Sequence, residues 1–127
     1  MIAVLCSQDS FLSDKLAHIC AGNGIRVVRT AKLDRLIYEL KQPGRIALID
    51  VTMEVVQEPG ALRTLVNVAR ITDNEVLCIC PNQDEALKKL ARQARPTEVF
   101  LRYDLHTSLT EHLKAYAIQA RSGVVAK

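Results

Sequence analysis

Four apolar residues, Ile46-Ala47-Leu48-Ile49, run without a break and stop at one carboxylate, Asp50. A run this short and this rich in branched side chains reads as a strand buried on both faces. Such a strand needs a layer above it and a layer below it, which points to a parallel sheet covered by helices. In an open parallel sheet, ligands and chemistry gather at the carboxyl ends of the strands, and Asp50 stands at that place. Asp also suits the start of a turn. Asp50 is therefore read in two ways, as a turn residue and as a functional carboxylate.

The rest of the chain supplies the layers. Residues 2–6 read as a first strand, and Ser7-Gln8-Asp9-Ser10 is turn and cap chemistry. Phe11, Leu12, Leu16, Ile19 and Cys20 recur at helical spacing, and Gly22-Asn23-Gly24 ends that helix. This GxG follows a helix and precedes a strand, the reverse of a dinucleotide fingerprint. A second strand is expected over residues 25–29. Thr30 reads as the N-cap of a second helix with an apolar stripe of Leu33, Leu36, Ile37 and Leu40. Gln42-Pro43-Gly44 breaks it, and the third strand runs to Asp50.

Glu58-Pro59-Gly60 marks a loop before a third helix with Leu62, Leu65, Val66 and Ala69. Residues 75–80 form a fourth strand, and residues 83–94 a fourth helix. In that helix Ala86, Leu87, Leu90 and Ala94 are expected inward, and Lys88, Lys89 and Arg92 outward. Pro96 stops it, residues 98–102 make a fifth strand, and a fifth helix is expected from about His106 to Ser122-Gly123. Strand and helix thus alternate five times. The fold expected is α/β: a three-layer, doubly wound (βα)5 flavodoxin-like fold with a five-stranded parallel sheet in the order 2-1-3-4-5. Residues 1–121 are read as one domain and residues 122–127 as a loose tail.

Composition narrows the function. The chain has 127 residues, 49% hydrophobic and 24% charged, enough for one closed core. No apolar run approaches membrane-spanning length, and the first residues lack the basic region of a signal peptide, so a cytoplasmic protein with no membrane contact is expected. Cys6, Cys20, Cys78 and Cys80 lie in apolar segments without a CxxC pair, which reads as buried free thiols. Residues 1–82 hold nine charges of each sign, and residues 83–127 hold eight basic and five acidic, so the net +3 falls in the last third. That is too mild for direct nucleic-acid binding and sufficient to bias one face toward an acidic partner.

With the segment Leu48-Ile49-Asp50-Val51-Thr52-Met53 and the spacing of the strand ends in view, the chain resembles the CheY-like receiver domain of two-component response regulators over residues 1–121. The resemblance makes Asp50 the phosphoacceptor equivalent. It puts the acidic pair that holds magnesium at Ser7 and Gln8, the hydroxyl residue at Cys80, the lysine at Arg102 and the aromatic switch at Val99. Of that set only Asp50 is retained. Ser7 and Gln8 carry no charge, a thiol is a poor donor, and Arg differs from Lys in reach and geometry.

A hard divalent cation wants several oxygen ligands, more than one of them anionic. The resemblance therefore implies a degenerate receiver, or pseudo-receiver: not an enzyme, with no cofactor, acting by protein contact. Arg102 is read in two ways, as a two-pronged bridge to Asp50 and as a side chain pointing to solvent. Partner binding or a homodimer is expected through the fourth helix, fifth strand and fifth helix, where Lys88, Lys89, Arg92, Arg95 and Lys114 lie, or through an output domain.

Three other readings stay open here. One is a working receiver phosphorylated on Asp50 by a histidine kinase, with magnesium held by Asp9, Asp50 and Thr52. Another is a thiol enzyme or redox sensor at Cys6 or Cys80. A third is an anion site where the acidic pair is missing. His18, His106 and His112 fall on expected helices, and none is placed as an obvious base.

Overall fold

A computed structural model describes residues 1–122, with side chains as far as Gln119. Five strands, β1 (Ile2–Cys6), β2 (Arg26–Thr30), β3 (Arg45–Asp50), β4 (Glu75–Cys80) and β5 (Glu98–Leu101), form one parallel sheet in the order β2-β1-β3-β4-β5. Between them lie α1 (Ser10–Gly22), α2 (Leu33–Leu40), a single turn α3 (Glu54–Gln57), α4 (Ala61–Ile71), α5 (Glu85–Gln93) and, after β5, α6 (Thr110–Ser122).

Alternation along the strands builds two cores, because successive side chains face opposite sides of a sheet. Ala3, Leu5, Ile46, Leu48, Leu77, Ile79 and Phe100 meet α1 and α6 on one side. Val4, Cys6, Ala47, Ile49, Val76, Cys78 and Cys80 meet α2, α4 and α5 on the other. Both faces of β3 are buried, as its unbroken apolar run requires.

The boundaries differ from the sequence reading in a few places. Strand β2 runs to Thr30, so Thr30 is not a cap. Lys32 holds the N-cap position without a side-chain bond, and its amide donates to Thr30 Oγ1. Arg102 lies just past β5, in a 3-10 turn over Arg102–Asp104, and a π turn over Leu105–Leu109 precedes α6. Helix α5 begins at Glu85, capped by Asp84, which accepts from the Leu87 amide at 3.0 Å. Its facing also shifts: Lys88 is only 8% exposed and Ala91 is buried, whereas Ala86 is exposed. The Lys88 stem covers apolar surface while its ammonium reaches Glu85 at 2.9 Å. Of the expected tail, Ser122 closes α6, and 123–127 lie outside the described residues.

The end of the sheet away from Asp50 is tied by polar groups. Asn74 donates to the carbonyls of Leu40 and Gln42 and accepts from the Arg45 amide, so the turn into β4 holds the turn into β3. Buried Glu39 lies between Arg45 and Arg35, both at 3.0 Å. Burial alone would raise its pKa, but the two guanidiniums outweigh that and lower it.

Candidate functional site

The opposite end of the sheet gathers the chemistry. Asp50 ends β3 in the middle of the sheet and is 1% exposed. Its Oδ1 accepts from the Thr52 amide at 3.0 Å and the Thr52 hydroxyl at 2.7 Å. Its Oδ2 accepts from the Ser7 hydroxyl, just past β1, at 2.7 Å. The turn reading of Asp50 holds, since its carboxylate organises the turn after β3, and the same carboxylate is buried where the strand ends meet.

Arg102 comes in from the end of β5. One nitrogen, Nη2, reaches Asp50 Oδ1 at 3.4 Å, and the other, Nη1, reaches Asp9 Oδ2 at 3.1 Å. The expected two-pronged bond to one carboxylate is thus a fork between two. Its Nε is buried and unpartnered among the described residues. Asp9 also caps α1, accepting from the Leu12 amide at 3.2 Å. That amide, followed by Arg102, holds Asp9 below its ordinary carboxyl pKa although burial acts the other way. Asp9 is at once the cap of α1 and the partner of Arg102, because the carboxylate has two oxygens and each takes one role.

The other equivalents are not drawn in. Gln8 is exposed. Cys80 is buried on the α5 side, where its thiol donates to the Leu87 carbonyl at 3.9 Å. Val99 packs partly buried against the same core. The aromatic next to it, Phe100, faces the other way and meets His112 edge-on, ring centres 5.7 Å apart. His112 in turn is 2.7 Å from Glu75.

All four thiols are free and buried. Burial, with Asp50 adding to it, pushes Cys6 up to about 11, and burial raises Cys80 against the pull of Arg92 and Lys88. A reactive thiol needs the opposite shift.

Of the cations assigned to an interaction face, Lys89, Arg92 and Arg95 are exposed along a groove between α4 and α5, and Arg63 of α4 lines the same groove. Lys114 is exposed on α6, and Lys88 is buried. The sequence reading missed Arg63 and Arg70. Both lie in the charge-balanced first part of the chain, and only the packing of α4 on α5 brings them to this face.

No protein-family model matches the sequence, and no curated protein matches it. Solved structures do match. The receiver domain of a sensor histidine kinase from Pseudomonas aeruginosa, with a magnesium ion coordinated in its active-site cleft, is 13% identical; the match covers 91% of this chain and 95% of that one, at a TM-score of 0.73. A protein described as a response regulator from Chloroflexus aurantiacus is 12% identical, covering 94% of each chain, at 0.69. A protein described as pilus assembly-related, from Burkholderia pseudomallei, is 22% identical, covering 93% and 90%, at 0.70. At these identities the likeness establishes the fold, which is the flavodoxin-like fold of receiver domains. No helix among the described residues is long and apolar enough to cross a membrane.

Proposed function

We propose that this chain, which has the fold of response-regulator receiver domains, is a signalling module that works by protein contact and without a divalent metal. The observation that carries the reading is the fork of Arg102 between Asp9 and Asp50. Magnesium prefers near-octahedral oxygen ligation at about 2.0–2.1 Å, with water and one or two carboxylates in the shell. Here each carboxylate already has a guanidinium nitrogen on it, and Asp50 takes three further bonds from Thr52 and Ser7. This donor set fits the ion poorly, because a fixed positive group lies against the oxygens a metal would need. No group of three or more His, Cys, Asp or Glu side chains suited to a metal occurs among the described residues.

In this reading the guanidinium does what a metal and a lysine do jointly in the resembled family. It ties the end of β3, the end of β5 and the start of α1 into one arrangement. The chain is then a binding element with no catalytic residue and no cofactor, presented to a partner protein or an output domain.

One observation favours a second reading. Asp9 reaches the same guanidinium as Asp50, so two carboxylates do converge, and displacing Arg102 would free both for magnesium and phosphoryl transfer. A single experiment separates the two. The protein is incubated with acetyl phosphate and magnesium and its intact mass is followed. The contact-module reading expects an unchanged mass, and stoichiometric phosphate on Asp50 overturns it.

A further inference from the structure

We propose that the groove between α4 and α5 is a docking surface for an acidic peptide segment of a partner protein. This deepens the contact-module reading and rests on it.

Charge is the first argument. Helices α4 and α5, with Arg95 just beyond, carry six basic residues against one acid, Glu85, a net of +5 on a chain whose total is +3. Glu85 is paired with Lys88, and Asp84 caps the far end of α5. Arg63, Arg70, Lys89, Arg92 and Arg95 therefore have no carboxylate partner among the described residues. Uncompensated like charges along a cleft focus a potential that draws anions.

The groove is also built. Arg63 donates to the Gln93 carbonyl at 2.7 Å and Arg70 to the Arg95 carbonyl at 3.0 Å, so α4 grips the C-terminal end of α5. Arg95 itself sits at φ 55°. That left-handed conformation strains any residue with a side chain and suits glycine after a helix. The chain holds a guanidinium there nonetheless, and it lines the groove.

Shape and polarity choose the occupant. A neighbouring cavity shares Arg63 and Gln93 with the groove and is lined besides by Leu62, Leu90, Ala94 and Glu58. A segment with acidic residues over Lys89, Arg92 and Arg95 and one apolar side chain over Leu90 matches both. Nucleic acid matches less well: no aromatic side chain lines the groove to stack a base.

The test uses the whole chain and a fluorescein-labelled, glutamate-rich peptide carrying one leucine, read by fluorescence anisotropy at low and high salt. Binding is expected and weakens with salt. Lys89→Glu combined with Arg92→Glu lowers affinity by about tenfold or more, since both side chains are exposed and unpaired. Lys114→Glu on α6 leaves it within about twofold. Lys89→Gln with Arg92→Gln gives a smaller loss in the same direction and serves if the reversed pair disturbs folding. Absent binding, equal loss in Lys114→Glu, or tighter binding of single-stranded DNA refutes the groove. Phosphate uptake by Asp50 refutes the underlying reading separately.

Discussion

Replacing Arg102 with alanine leaves Asp50 as a carboxylate 1% exposed with no cation against it. The size of the effect follows from the geometry. At 3.4 Å two unit charges attract by about 5 kcal/mol at an effective dielectric constant near 20. The guanidinium is 31% exposed, so solvent screens part of this, and the bonds from Thr52 and Ser7 still stabilise the carboxylate. The expected loss is about 2 kcal/mol, which for a chain of this size lowers the melting temperature by roughly 7 °C.

The decisive comparison adds Asp50→Asn. In the wild type that change breaks an ion pair. In the Arg102→Ala background it removes an uncompensated charge and recovers about 1 kcal/mol. Urea and thermal unfolding of the four proteins measure both quantities, and magnesium should leave the wild-type curves where they are. If Arg102→Ala is neutral, or if the two substitutions simply add, the guanidinium does not hold Asp50 and the reasoning fails.

Two further outcomes follow from the rest of the structure. The His112 imidazole has its pKa raised above its ordinary 6.5 by the Glu75 carboxylate at 2.7 Å, with burial opposing. Its contribution is complete below that ordinary value and is lost as pH rises through the higher folded one, so the melting temperature falls across that window and Glu75→Gln flattens the fall. The four cysteines, with Cys20 pushed up to about 12 by burial, should resist iodoacetamide in the native protein and react at the rate of unfolding. Rapid labelling of Cys6 or Cys80 under native conditions would revive a thiol chemistry.

The fold was legible because its signals are local and agree with one another. Unbroken apolar runs mark β3 and β4, the stripe of Leu62, Leu65, Val66 and Ala69 marks α4, and glycines at positive φ end the turns at Gly24, Gly44 and Gly60. What was misread turns on a single residue's neighbours. Lys88 is charged and was placed outward, but one turn of helix brings Glu85 beside it and its stem can lie over the core. Thr30 is a good cap by type, yet β2 continues through it because it pairs with Cys6 of β1. Pairing between strands outweighs the preference of one side chain, and nothing within residues 25–33 reports it.

The site divides along the same line. Asp50 could be named from the apolar run it ends, and Ser7 and Arg102 from the resemblance to receiver domains; parallel register then brings these strand ends together. How they connect could not. Asp9 is separated from Arg102 by 93 positions, and its tie to that residue depends on the Leu12 amide occupying one of its oxygens and leaving the other free. Without that cap the Asp9 side chain would have other rotamers open to it. With it, a carboxylate is fixed beside the guanidinium that Asp50 also needs. The start of α1 is thereby coupled to the ends of β3 and β5, so a partner that alters the first turn of α1 must also alter the charge facing Asp50.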